Sequence, residues 1–270
     1  MIITRNQYIL IVVAILLIVL LFFAPKKPSV NTPKLESTAE LNAEVKLPAE
    51  QQKMYEALKL ALDNSTKDAD KQKSLEALAA FFEQNKKPLQ VAIYYQKLAD
   101  LLGTADAWYE AGERFYRATG FVPDTMISLV YQNALSAYGK VLLIDKDNEK
   151  AKIKMGVCYV EMGTDPMKGV GLLREVAEKD PKNIEAQLNL GYFSVKSKQF
   201  DKALIRFNNV LKIDTGYTDA YVYLAQTYEM MGDTNNALSF YETYRTRVKD
   251  TVVSNEVGDY IKKFKRNKKN

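Results

Sequence analysis

Residues 184–217 read IEAQLNLGYFSVKSKQFDKALIRFNNVLKIDTGY, and residues 218–250 read TDAYVYLAQTYEMMGDTNNALSFYETYRTRVKD. Laid one over the other without a gap, Leu190 meets Leu224, Gly191 meets Ala225, Ala203 meets Ala237 and Phe207 meets Tyr241, each pair 34 positions apart. Self-similarity at a fixed period of about 20–50 residues marks a stack of small supersecondary units. Within each copy the apolar residues recur at spacings of three and four, which is the pattern of an amphipathic helix and not of a strand. Gly232-Asp233 interrupts the second copy and predicts a turn, where glycine reaches positive φ without cost. Each copy therefore reads as helix, turn, helix. One such hairpin cannot bury its apolar face alone, and stacked neighbours complete the core.

Earlier units match less closely. Residues 149–183 carry Met155-Gly156 and Tyr159, then Leu173, and end at Asp180-Pro181, a usual place for a helix to stop. Their turn, residues 163–166, is unusual, and Gly169 stands where the later copies have alanine. Residues 105–148 carry Trp108, Gly112 and Phe115, then Ala134 and Tyr138, with an insertion of about ten residues near 120–130. Residues 73–104 form a degenerate unit with Ala92 and Ala99 in its second helix. A single helix over 48–64 precedes them, and Ser254 is a candidate cap for a final helix through Phe264.

The period and the positions of Leu190, Gly191, Ala203 and Phe207, repeated at Leu224, Ala225, Ala237 and Tyr241, resemble the tetratricopeptide repeat family. The resemblance is strong over 149–250 and weaker over 73–148. It implies an all-α, right-handed α-solenoid of helix–turn–helix units at 105–148, 149–183, 184–217 and 218–250. Residues 48–104 supply N-terminal helices with the degenerate unit, and residues 251–270 a capping helix and basic tail. On this reading Gly191 and Ala225 are small because the two helices of a unit cross there, while Phe207, Tyr228 and Tyr241 fill the space between units.

Residues 8–24 hold no charge and consist mainly of Ile, Leu and Val. A helix of that length rises roughly 25 Å, a little short of the hydrocarbon core of about 30 Å. A cleaved signal peptide competes with a permanent anchor. The exit Phe22-Phe23-Ala24-Pro25 places bulky residues where cleavage needs small ones, which favours the uncleaved anchor. We therefore read 1–24 as an N-terminal transmembrane helix. Residues 25–47, with Pro25, Pro28 and Pro33, read as a flexible linker. The resemblance extends to single-span envelope proteins of bacteria. It implies an inner-membrane anchor with the body on the periplasmic side, although Lys26, Lys27 and Lys34 after the span lean against export of the C-terminal body.

Composition narrows the chemistry. The chain has no histidine and one cysteine, Cys158, which excludes imidazole acid–base work and an internal disulfide. Cys158 reads as a small buried hydrophobe, and Trp108 as a packing residue. No phosphate-binding glycine loop, catalytic carboxylate pair or metal-ligand spacing occurs, so the expectation is a non-enzyme without cofactor or metal. Of 38 Lys and Arg, nine lie at the termini: Arg5, Lys26 and Lys27 in front, and six in the run Lys262, Lys263, Lys265, Arg266, Lys268 and Lys269 behind. The remaining 29 face 33 Asp and Glu, which leaves the body at −4. That distribution does not suit a nucleic-acid binder, which needs a basic folded face.

The resemblance also implies a concave surface made by the first helix of each unit, with a protein or peptide segment as its ligand. Helical phase places Tyr109, Glu113 and Tyr116 there from one unit, and Ile153, Val157 and Val160 from the next. Leu188, Asn189, Tyr192 and Val195 come from the third, then Val222, Tyr223, Gln226 and Met230 from the fourth. A groove this apolar calls for a cover. Three readings stay open: a protein partner, which would make the chain a membrane-anchored scaffold in envelope assembly; the chain itself, through its C-terminal helix or a second copy in a homo-oligomer; or a shift of helical phase that makes some of these ordinary packing residues. Lys154 and Asn189 could contribute to a clamp on a C-terminal carboxylate, but Glu185, Leu188 and Asp219 occupy the neighbouring places and leave it incomplete.

Overall fold

The computed structural model describes Leu41 and residues 45–267. Among these residues there are twelve α-helices and no strand: α1 (Ala49–Asp63), α2 (Asp68–Gln84), α3 (Pro88–Leu102), α4 (Ala105–Ala118), α5 (Asp124–Ile144), α6 (Glu149–Met162), α7 (Pro166–Lys179), α8 (Ile184–Lys196), α9 (Phe200–Ile213), α10 (Asp219–Met230), α11 (Thr234–Arg247) and α12 (Thr251–Asn267). Every helix packs on its successor, so hairpins α2/α3, α4/α5, α6/α7, α8/α9 and α10/α11 stack in chain order. The helix α1 leads the array and α12 closes it against α11.

The ends of the helices explain the register. Second helices α5 and α7 stop at Asp145 and Asp180, each with extended backbone. Three residues later Asn148 and Asn183 accept a hydrogen bond from the backbone N–H of Ala151 and Ala186, both at 3.0 Å, and start the next unit. Such caps satisfy donors that a helix cannot pair internally, at about 1 kcal/mol each. Asp233 caps α11 in the same way through the N–H of Asn236, and Gly232 takes a φ of +79° in the turn before it.

Small residues on the first helices admit what crosses them. A Cβ on Gly191 would lie 2.4 Å from Cε1 of Phe207, and one on Gly112 would lie 2.6 Å from Cε1 of Tyr138. Phe207 and Tyr138 thus first fill the inside of their own hairpins. Phe207 then reaches the next unit through Tyr223, ring centroids 5.4 Å apart. Tyr228 likewise stacks on Phe240 within its own hairpin, at 5.5 Å. In α6/α7 the neighbour is backbone: a Cβ on Gly169 would stand 2.5 Å from the carbonyl oxygen of Gly156.

Four expectations change. The insertion near 120–130 is no free loop: a 3₁₀ turn at Thr119–Phe121 leads into α5, whose 21 residues absorb the rest as added helix. The final helix begins at Thr251, where Asp250 accepts from the N–H of Val252 and Val253; Ser254 instead donates to the carbonyl of Arg245. The run Lys262–Arg266 lies within α12. Leu41 is 1% exposed in the core with Trp108 and Phe115, and Val45 and Leu47 pack on the cluster of α2 and α3, so the end of the expected linker is seated on the body. The expected anchor, 1–24, lies outside the described residues, as does most of the linker. Among the described residues no helix is long and apolar enough to cross a membrane.

Candidate functional site

The first helices α4, α6, α8 and α10 carry the residues that helical phase assigns to one face, and the structure sorts them into three groups. Ile153, Val157 and Val160 are buried, at 1%, 8% and 8% exposure, in a cluster with Leu173, Ala186, Leu190 and Phe193. They are packing residues and present no surface, which corrects the expectation for α6. The reason is that α6 contacts α8 directly as well as its own partner α7, so its inner side is covered by the next unit. Leu188, Val195 and Val222 are half-buried: the first two pack by Phe207 and Leu224, the third by Ile261 of α12.

The remaining members form an aromatic and polar surface. Tyr109 packs at 5.7 Å on Tyr138, and Tyr116 at 6.0 Å on Tyr131. Tyr192 meets Phe207 at 5.7 Å and Tyr223 at 4.9 Å, yet keeps 40% of its surface open. Gln226 is exposed and Met230 is 61% exposed. Rings held at such centroid distances present apolar area with little rotamer entropy to lose on binding.

A polar ladder crosses three units beside these rings. The hydroxyl of Tyr138 donates to Oε1 of Glu113 at 2.6 Å. Lys154 Nζ lies 3.5 Å from Glu113 and 3.6 Å from Glu185, and sits 5.9 Å from the centre of the Tyr116 ring. Two carboxylates against one ammonium leave this surface negative. The same pairing disposes of the incomplete clamp: Lys154 is engaged by carboxylates of its own chain, and Asn189 donates to the carbonyl of Glu185 at 2.8 Å. Burial first, then the neighbouring Tyr131, pushes the Tyr116 phenol up to about 12. Burial also raises Tyr109 and Tyr192. These phenols are neutral donors at ordinary pH.

At the far end α12 intrudes. Glu229 accepts from Tyr241 and from Tyr260, both at 2.7 Å, which ties α12 to α10 and α11. Gln226, Met230 and Tyr260 share a cavity there, so the last station of the surface is bordered by the cap. Cys158 is fully buried, and burial followed by the charge of Glu113 raises its thiol pKa. Trp108 is buried in the core. Among the described residues no three acidic or cysteine side chains gather as metal ligands would. Sequence reading placed Glu113 on this face but missed its bonds to Tyr138 and Lys154, because residues in different units give no local signal of their pairing.

The tetratricopeptide repeat family model matches residues 219–251. No curated protein matches the chain. Among solved structures, PilW, a widely conserved type IV pilus biogenesis factor, superposes with a TM-score of 0.55 at 19% identity, covering 73% of this chain and 86% of its own. MamA from Desulfovibrio magneticus RS-1, residues 41 to the end, gives 0.52 at 16% identity, covering 66% and 95%. Another MamA structure gives 0.51 at 13% identity, covering 66% and 92%. At these identities the likeness is one of fold: the chain is a stack of helical hairpins, of which residues 219–251 match a tetratricopeptide repeat.

Proposed function

We propose that the chain is a membrane-anchored scaffold that holds a protein segment against the inner surface of its first helices. The observation that carries this is exposed Tyr192 and exposed Met230 on successive first helices, together with the Glu113–Lys154–Glu185 ladder on the same series of helices. Exposed rings on a rigid framework, rimmed by charge, suit a peptide better than a reaction. Tyr109, Tyr116, Leu188, Asn189, Val195, Val222, Tyr223 and Gln226 would complete the surface; Ile153, Val157 and Val160 would support it from beneath. The tether at 1–24, the periplasmic position of the body and a role in envelope assembly extend the reading. Support for an assembly role is the shared fold with a pilus biogenesis factor.

The alternative occupant is the chain itself, as a self-assembling element. It draws on α12, whose Tyr260 already borders the last station. Replacing exposed Tyr192 and Met230 together by Glu separates the two. Under the scaffold reading, the full-length chain co-purifies with one partner in fixed ratio, and the double variant loses it while keeping its helix content. Isolation of a higher-order oligomer with no second protein, dispersed by the same pair, would replace that reading by self-assembly.

A further inference from the structure

Away from that surface, a cleft of about 560 Å³ opens between the second helices α7 and α9, above the ends of α6 and α8. Its lining joins two chemistries. Met167 and Ile205 are 74% and 59% exposed, and Val170 and Phe193 continue the apolar floor. Arg174, Lys196, Lys202 and Arg206 are its four cations, with Glu161 the one carboxylate in the lining. Lys196 is paired with Glu161 at 3.4 Å. Lys202 and Arg206 spend donors on neutral amides, those of Gln199 and Gln187. Burial and the adjacent charge of Arg174 lower the pKa of Arg206, and Glu178 offsets this in part. Two guanidiniums therefore face one space with too little negative charge between them.

We propose that the α7–α9 cleft is a second docking surface, which takes an acidic amphipathic segment of a protein partner. Its apolar side chains rest on Met167, Val170 and Ile205, and its carboxylates reach Arg174 and Arg206. The choice of partner rests on charge complementarity together with the apolar floor, which a nucleic acid would not use. This surface is distinct from the negative one on the first helices, so the two faces select segments of opposite charge.

The test uses the full-length chain in nanodiscs of anionic lipid, which repel an acidic peptide. The probe is a fluorescent 16-residue peptide with Leu at helical three–four spacing and Glu elsewhere; a second probe has Lys for every Glu. The Leu/Glu peptide binds, and the Leu/Lys peptide binds at least about tenfold more weakly to the cleft. Met167→Glu with Ile205→Glu changes two exposed side chains of the lining, so helix content and thermal unfolding hold while peptide affinity falls about tenfold or more. Arg174→Glu with Arg206→Glu gives the same loss, and the Tyr192→Glu/Met230→Glu pair leaves binding intact. Binding of the Leu/Glu peptide that is indifferent to Arg174→Glu/Arg206→Glu, or to Met167→Glu/Ile205→Glu, overturns the proposal. So does competition by a thymidine oligonucleotide as effective as by unlabelled peptide. Self-association of the full chain abolished by Met167→Glu/Ile205→Glu also overturns it, with a second copy as the occupant.

Discussion

Hairpins α6/α7 and α8/α9 solve the same crossing by opposite means. Both place glycine at the crossing point of the first helix, Gly156 and Gly191. In α8/α9 that glycine makes room for the ring of Phe207, which is 1% exposed. In α6/α7 the corresponding side chain is the smaller Leu173, and the second helix carries Gly169 in place of alanine. There the helices close until backbone faces backbone: a Cβ on either glycine would stand within 2.9 Å of the other's carbonyl oxygen. A ring is a filler that can rotate or shift; a backbone carbonyl cannot move without its helix. The two hairpins teach that a repeat position fixes a volume, not a residue, and that the volume can be filled from either side.

The largest break in this comparison should come from Gly169→Ala. The added methyl must push α7 off α6, and the expected loss is about 2–3 kcal/mol despite the gain in helix propensity. Urea unfolding measures it; a loss near zero would mean that the two helices are not in backbone contact. Gly191→Ala should cost less, about 1–2 kcal/mol, because the obstacle is the edge of a ring. Adding Phe207→Leu puts at that place the smaller side chain that the neighbouring hairpin has in Leu173, and makes room for the new methyl. The double variant should lie above the sum of its singles by at least about 0.5 kcal/mol, and strict additivity would show that ring and glycine do not share the space.

The smallest effect sharpens a third case, α4/α5, where Tyr138 covers Gly112 and donates to Glu113. Burial first, then the charge of Glu113, holds the Tyr138 phenol above its ordinary value of about 10. With the folded pKa raised, the stability tied to the neutral phenol is complete below the unfolded pKa and falls as pH rises past it. Tyr138→Phe should cost about 1 kcal/mol at pH 7 and give a shallower decline of stability above pH about 10 than the parent chain shows. Parallel alkaline limbs in the two proteins would show that this phenol does not govern the decline.

The order of hairpins was legible because the period of 34 is repeated in full over 184–250, and because Asp180-Pro181 marks the end of the unit before it. The depth of α6 was legible only in part. Its apolar residues surround the helix, with Met155, Cys158 and Tyr159 on one side and Ile153, Val157 and Val160 on another. A helix apolar all round is buried all round, a signal that assigning one face to the groove overrode. Pro123-Asp124 was likewise a readable helix start inside the supposed insertion. The ladder of Glu113, Lys154 and Glu185 was not readable, since its members stand on three units. Nor was the cleft: Arg174 and Arg206, 32 residues apart, look like ordinary solvated charges until two helices bring them to one gap.

The double acceptance at Glu229 has an effect beyond its own corner. By anchoring Tyr260, it holds the last turns of α12 in a set orientation, and with them Lys262, Lys263, Lys265 and Arg266. Positive charge is thereby mounted rigidly at one pole of a body that is otherwise slightly negative. The solenoid therefore carries a fixed charge asymmetry along its length, and the two phenols on one carboxylate keep its positive end in place.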